Sequence, residues 1–503
     1  MSTVLQAAPP AVTTAPSHTW AAVFALARFE TRKLLLSSPV LLAFAGYIAW
    51  IVYMDREAFP ALQDADRATQ GAPLLVALAV LLSANLAVLR SRRQDTERHF
   101  GVLVLLPWQR TAAHALSVVP AALLTALCVG GQFTWQALKP GAIGHGSPAE
   151  LLVGPLTVLL LGTIGVLMAR LVASVVAAPL AAVFFLFFYV MIAAPTGSGQ
   201  GTRWLAPVVG ESTANTLPSD LLGRPAAWHA MYLAGLVLCA ALVAVLVSGG
   251  RKVIVAGALA AAVLLTLTGA VAQARDISPE LTAARERVSV TPEKEQTCVR
   301  HDGSTYCAFP EWAPRTETWA DVVDHVKSLA GAGAQDRELV VRQRIDARYG
   351  LDGDSALEPS ATPDQVTVGT RWGGNRVPEF SAAVASVLVT GTEKDAGGIC
   401  DGRMVTVMWL ALGWADDPMQ SLRDVRVDDS VSGSATVLSP TDPLSMTSGH
   451  TDVVRELLEQ PRDTVTAKVK ANWAELTAPD VKTSRVAQLL GVDAPKGADS
   501  CEE

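Results

Sequence analysis

Two cysteines nine residues apart, Cys298 and Cys307, carry the clearest chemistry in the chain, and the Val-Arg-His-Asp-Gly-Ser-Thr-Tyr stretch between them says what it is. Asp302-Gly303 is a two-residue hairpin signal flanked by strand-forming residues. Closing the hairpin there sets His301 opposite Ser304, Arg300 opposite Thr305, Val299 opposite Tyr306 and Cys298 opposite Cys307. Directly opposed Cα atoms lie about 4.5–5.5 Å apart, within reach of a disulfide. Zinc is the rival reading, with His301 nearby, but it needs two more ligands that no other spacing supplies. Of the six cysteines, Cys128 and Cys239 fall in apolar runs and read as small packing residues. The other four, Cys298, Cys307, Cys400 and Cys501, all lie in the second half, an even count that suits an oxidising compartment. A Cys400–Cys501 bridge follows by elimination and would tie the tail to the Gly397–Arg403 turn.

Other reactive constellations are missing. There is no H-E-x-x-H and no G-x-S-x-G, and His301, His325 and His450 have no metal spacing. Asp352-Gly353-Asp354 lacks the later Glu of a calcium loop and reads as a turn, and Asp428-Asp429 as a solvated loop. No G-x-x-x-x-G-K-[ST] occurs; Gly197–Gly201 is a glycine-rich connector after an apolar run. The expectation is a chain with no catalytic residues, no metal and no cofactor of its own, and not an enzyme.

A second stretch is informative for its charge. Arg90–Thr111, RSRRQDTERHFGVLVLLPWQRT, holds arginines at 90, 92, 93, 98 and 110 and lies between two apolar runs, Gly71–Leu89 and Thr111–Leu138. Arginine enrichment assigns such a loop to the cytoplasm. Its middle, Phe100 and Val102–Leu106 up to Pro107, is apolar and demands burial, either against the membrane or against a partner protein.

The elements that position these groups follow from composition. Half of the 503 residues are hydrophobic, but the average hides two halves. Residues 1–275 hold 17 Lys+Arg and 10 Asp+Glu, a net of +7; residues 276–503 hold 23 and 37, a net of −14, and the two make up the total of −7. The acidic second half argues against a nucleic-acid partner. Seven apolar segments in the first half have the roughly 20 residues a membrane span needs: Leu35–Met54, Gly71–Leu89, Thr111–Leu138, Leu151–Ala169, Leu171–Ala194, His229–Ser248 and Val253–Ala274. With the N-terminus inside, 11 basic residues face the cytoplasm and five (Arg56, Arg67, Lys139, Arg203, Arg224) the other side. Seven crossings then send everything after Ala274 outside, in agreement with the cysteine count. Polar residues within the spans, Ser83, Asn85, Gln132, Thr134 and Tyr189, suit helix–helix hydrogen bonding. None is an ionisable group at mid-membrane of the kind ion-coupled transport requires.

Along the chain, residues 1–18 are uncharged and Ala/Pro/Thr/Ser-rich, a disordered cytoplasmic tail. His18–Leu34 reads as an interfacial helix with Trp20, Val23, Phe24, Ala27 and Leu34 on one side and Arg28 and Arg32 opposite, a pattern that Phe29 and Glu30 interrupt. The membrane domain covers 19–274, a stalk 275–297 with a helix around Pro279–Arg287, and an extracytoplasmic α+β domain 298–503. In that domain Trp319–Leu329, Arg337–Tyr349, Thr451–Leu458, Asp463–Leu476 and Val481–Leu490 have helical character, while Gln365–Trp372 and Met404–Trp409 are rich in strand formers. Val465, Val469, Trp473 and Leu476 form a core stripe.

An interfacial N-terminal helix, a basic loop between spans two and three and a long outer loop between spans five and six together resemble the type-2 ABC exporter permeases. In that family the loop reads roughly E-x-G-T-L-E-x-L-L-x-x-P-x-x-R, matched here by Glu97, Gly101, Leu103, Leu105, Leu106, Pro107 and Arg110. Two departures stand out: Val104 replaces an acidic residue, and Gly101 and Pro107 are a few residues closer together. The resemblance covers about residues 18–250. It implies a permease subunit in a bacterial cell membrane, docked through Arg93, Glu97, Arg98 and the matched residues on a separate cytoplasmic ATPase, and paired with itself or a sister permease. The alternative is a membrane-anchored extracytoplasmic receptor or assembly protein whose function resides in residues 298–503.

Overall fold

The computed structural model describes residues 16–56, 58–94, 105–193, 216–223, 226–275, 277–348, 357–369 and 376–495. The first half is helical: α1 (Pro16–Leu35), α2 (Ser38–Asp55), α3 (Leu62–Gly71), α4 (Leu74–Arg93), α5 (Pro107–Leu116), α6 (Val119–Ala137), α7 (Val153–Leu171), α8 (Ala177–Ala193), α9 (Ala226–Val247) and α10 (Lys252–Gln273). Among the described residues, six segments are long and apolar enough to cross a membrane: Ser38–Asp55, Leu62–Ser91, Pro107–Ala137, Pro148–Leu171, Ala226–Val247 and Lys252–Gln273. The chain is a membrane protein, and these six match six of the seven expected spans. The remaining one, Leu171–Ala194, corresponds to α8, which is 17 residues long and reaches about 26 Å at 1.5 Å per residue.

Two spans are broken where prolines fall. Pro73 separates α3 from α4, and Pro120 in the first turn of α6 splits the third span after Leu116. Proline has no N–H to give and crowds the preceding turn, so the helix restarts there.

The centre of the bundle is the α4–α7 contact. Asn85 is buried and donates from Nδ2 to the Gly165 carbonyl oxygen (3.1 Å). A Cβ on Gly165 would lie 2.4 Å from the Leu81 carbonyl oxygen, so only glycine permits this approach. Ser83 meets Ser37 at 3.1 Å and Gln132 donates to Asp55 Oδ2 at 2.6 Å, the interhelical role expected of both. Thr134 instead bonds back to Gly130 O in its own helix (2.7 Å). Outward, Leu42, Leu180, Val183, Phe187, Ile254 and Leu264 are exposed, as a lipid-facing surface requires.

The bundle has two chemically different ends. At one lie α1, the end of α4, the start of α5, the end of α7 and the α9–α10 turn, with Arg28, Arg32, Lys33, Arg90, Arg93, Arg110, Arg170, Arg251 and Lys252. At the other, the loops between spans join the C-terminal half. Pro60 and Leu62 pair with Ile143 (3.0 and 2.9 Å), and Arg285 donates to the Leu221 carbonyl oxygen (3.0 and 2.8 Å). Glu311 accepts from the Ser219 N–H (2.9 Å). Ala61, Ile143, Leu217 and Leu221 belong to the same hydrophobic core as Trp312, Trp319, Phe380 and Trp409.

The C-terminal half begins with α11 (Pro279–Val290), the expected stalk helix, which contributes Val288 to that core. The hairpin β1 (Thr297–His301) and β2 (Ser304–Ala308) has the expected register throughout, with Cys298 opposite Cys307. Asp302 (φ 42°) and Gly303 (φ 80°) make the turn, and the Cys298–Cys307 disulfide closes it with Cα atoms 4.0 Å apart. Cys400 is also disulfide-bonded, whereas Cys501 lies outside the described residues. Cys128 and Cys239 are free thiols.

After α12 (Thr316–Leu329), β3 (Val340–Gln343) and β4 (Gln365–Val368) extend the sheet in parallel, in the order β1-β2-β3-β4. Then come α13 (Arg376–Thr390), α14 (Arg403–Leu412), α15 (Pro418–Val425), a small β5 (Ala435–Val437) and β6 (Leu444–Met446) hairpin, α16 (Ser448–Leu458), α17 (Arg462–Ala471) and α18 (Thr483–Leu490). Two expectations are corrected. Met404–Trp409 is helix, not strand: every side chain from Met404 to Leu412 is buried, and a segment apolar all round marks burial rather than period. Arg337–Tyr349 holds strand β3, not helix; its Val341 and Gln343 alternate inward, and the slot between β2 and β4 overrides helix propensity. The Val465, Val469 and Leu476 stripe is core as expected, with Trp473 against Gly331.

Gly165→Val is expected to cost about 1–3 kcal/mol by wedging α4 from α7, while Gly257→Val, whose Cβ would meet nothing within 4 Å, leaves stability unchanged. Thermal unfolding of the purified variants checks this; equal melting temperatures would refute the close contact.

Candidate functional site at the basic end of the bundle

The Arg90–Thr111 stretch enters and leaves the bundle at its basic end. Of the residues singled out in it, Arg93, Leu105, Leu106, Pro107 and Arg110 are described, while Glu97, Arg98, Gly101 and Leu103 lie outside the described residues. Arg93 is exposed at the end of α4. Pro107 starts α5, where its fixed φ suits a first helical position. Gln109 folds back to accept the Leu106 N–H (2.9 Å), which fixes the entry. Leu105 and Leu106 then part company: Leu105 packs on the buried Val23, Ala27 and Ala113, while Leu106 is 54% exposed. Arg110 is half-buried one turn further in.

Helix α1 is clamped against this entry. Trp20 meets Trp108 edge-on at 6.3 Å, and Thr31 Oγ1 donates to the Ser117 carbonyl oxygen (3.2 Å). Its expected apolar side divides: Val23, Ala27 and Leu34 are buried, Trp20 and Phe24 exposed. Glu30, which interrupts the pattern in the sequence, is buried and accepts from Arg90 Nη1 on both oxygens (3.1 and 3.2 Å). It is the sole acidic side chain at this end among the described residues, and it joins α1 to α4. Its partner stands 60 residues away, so no sequence signal pairs them. Thr111 Oγ1 donates to Ser248 Oγ (2.7 Å), which links α5 to the end of α9. The α5 entry is therefore bonded to α1 and to the end of α9, and through α1 to α4.

The domain end carries other chemistry-bearing groups. His145 Nε2 lies 3.1 Å from Asp220 Oδ1 and 3.8 Å from Glu311 Oε1, joining two loops to the C-terminal half. Their ligand atoms all fall within 4.8 Å of one another, but His145 and Asp220 are exposed and Glu311 already binds the Ser219 amide. Segments this far apart gave no spacing to read. Lys327 Nζ donates to Ser304 Oγ (3.2 Å), and burial lowers the lysine pKa. A lysine beside a serine is a nucleophile arrangement, yet Ser304 is sealed at 1% exposure and also accepts the Leu339 N–H (3.2 Å). The pair knits β2 to α12 and β3. His450 and Thr447 cap α16 reciprocally (3.1 Å each way).

Asp428, expected in a solvated loop, has a partner. Arg426 is 1% exposed and donates to Asp428 Oδ1 (3.1 Å), Thr451 Oγ1 (3.2 Å), Ser430 Oγ (2.9 Å) and Ser432 O (2.9 Å). The Arg426 hydrogen bond holds the Asp428 carboxyl well below its ordinary value of 3.8. Comparison with protein-family models, curated proteins and solved structures returns no match for this chain.

Two outcomes follow. A double-mutant cycle with Glu30→Ala and Arg90→Ala is expected to return a coupling of about 1 kcal/mol for a pair this partly screened; a coupling of zero in thermal unfolding would show that the pair does not hold α1. Because the folded pKa of Asp428 is depressed, its contribution is present above pH 3.8 and lost as pH falls through the folded value. Asp428→Asn should thus melt earlier than the parent at neutral pH, the two curves converging in acid; a pH-independent gap would contradict the linkage.

Proposed function

We propose that this chain is the membrane-spanning permease subunit of an ATP-driven transporter of the type-2 ABC exporter kind, working in export with a separate cytoplasmic ATPase. The observation that carries this reading is the basic-end junction: Leu105 is anchored on α1, Leu106 and Pro107 are presented outward, and the same entry is bonded to α4 through α1 and to α9 through Thr111. A partner that pushes on this element moves helices from both ends of the membrane domain's sequence at once. Docking falls to Arg93, Glu97, Arg98, Gly101, Leu103, Leu105, Leu106, Pro107 and Arg110, with the arginines meeting acidic groups on the ATPase.

A cytoplasmic N-terminus, seven crossings and an outer C-terminal half complete the reading. Three observations support it. Positive charge concentrates at the α1 end. The chain leaves α7 at that end, runs through α8, and after residue 193 is next described at Thr216, beside the C-terminal half. The Cys298–Cys307 disulfide suits an oxidising compartment. Pairing with a second copy or a sister permease would cover α10, the least buried of the six span candidates. The second reading, an anchored extracytoplasmic receptor, draws on the core that the outer loops share with the C-terminal half.

Co-expression with candidate ATPases tests the proposal. The parent chain should co-purify with one of them and stimulate its ATP hydrolysis, and Leu106→Glu and Arg110→Glu should each lower that stimulation at least about tenfold with little change in melting temperature. Failure of every candidate to co-purify, together with unchanged transport in the charge-reversal variants, would overturn docking. A tag after Glu503 that added protease does not reach on intact cells would overturn the crossing count.

A further inference from the structure

A cleft of about 440 Å³ opens at the basic end between α1, α2 and α4, away from the Leu105 anchor. Three cations from two helices line it, Lys33 on α1 and Arg90 and Arg93 on α4, with the polar side chains of Ser37 and Gln94 beside them. Glu30 offsets Arg90 and is not part of the lining, so among the described residues the cleft presents two positive charges that no carboxylate offsets. Arg90, held by Glu30, is a fixed donor at the wall, while Arg93 and Lys33, the latter 4.4 Å from the centre of the Phe29 ring, are exposed at the mouth.

The apolar part of the lining identifies the source of that anion. Leu86, 37% exposed, and Pro39 continue the cleft onto the first turns of α2, where Leu41 and Leu42 stand exposed. Phe24 and Phe29 on α1 and Leu36 just after it are also exposed, which puts the mouth at the membrane interface rather than in open water. A free phosphate has no use for such a track; an acyl chain does. We infer that the cleft is a binding site for an anionic glycerophospholipid, with its phosphate between Lys33, Arg90 and Arg93 and its chains along Leu86 and the start of α2. Basic recesses between membrane helices recognise headgroups in this way, and each Lys or Arg near the charged surface strengthens binding about fivefold. A zwitterionic headgroup would bring its own ammonium against the same cations. Apart from Arg93, which the proposed ATPase-docking set also includes, the site uses none of the docking residues, and lipid retention by the chain alone reads it without the ATPase.

Native mass spectrometry of the purified full chain tests this, with phosphatidylglycerol, phosphatidylcholine or sodium phosphate added. Phosphatidylglycerol should be retained at least about tenfold better than phosphatidylcholine, and Lys33→Gln and Arg93→Gln should each reduce that retention about fivefold. Both side chains are exposed, so the fold is not at stake, and Lys33→Arg should retain the lipid. Lys252→Gln removes an exposed cation elsewhere at the same end and should leave retention unchanged. Equal retention of the two lipids, an equal loss with Lys252→Gln, or displacement of phosphatidylglycerol by inorganic phosphate at matched concentration would each overturn the assignment, the last in favour of a free-phosphate site.

Discussion

A polar side chain buried in an apolar bundle has no water to fall back on, so it must find its partner on a neighbouring helix, and the membrane half of this protein is arranged by that requirement. Asn85 reaches the α7 backbone, Glu30 takes Arg90, Asp55 takes Gln132, Thr111 takes Ser248, and His229 takes Gln273. Each pair joins two different helices. Apolar packing alone would let these helices slide, because lipid is as good a neighbour as leucine. The polar pairs select one arrangement, and close approaches such as Leu81 against Gly165 lock it.

The same requirement separates the two ends. Where α1, α4, α5 and α9 meet, the described residues set one carboxylate among many cations, which leaves that surface positive. At the opposite end, acids are satisfied locally: Gln70 donates to Glu150 (3.0 Å), Thr216 to Asp64 (2.6 Å), and the Ser147 amide to Asp66. There the loops between spans share a core with Trp312, Trp319 and Trp409. The C-terminal half is thus packed onto the bundle, not hung from it by the stalk.

Errors made from sequence have a common origin. Met404–Leu412 is sealed on every side, so its composition reported burial and carried no period. Val340–Gln343 becomes strand because β2 and β4, distant in sequence, leave a slot between them. Glu30 was legible only as an interruption of an amphipathic helix; Arg90, the half-buried arginine that gives it a purpose, comes from another helix. Asp428 is exposed as expected; what its sequence context hid is the bond to Arg426, whose guanidinium closes a loop that exists only when folded.

What the sequence determined by itself were the properties that depend on neighbours along the chain. These are the apolar lengths of six span candidates, the charge difference between the two halves, the Asp302-Gly303 turn, and with it the register that brings Cys298 to Cys307. Hydrocarbon thickness and turn geometry act over a few residues, and so can be read there. Tertiary structure alone decided which polar groups meet, that Leu105 anchors while Leu106 is presented, and that Lys33, Arg90 and Arg93 converge on one cleft. Those contacts join segments many tens of residues apart, and they arise only when the bundle buries its polar groups in pairs.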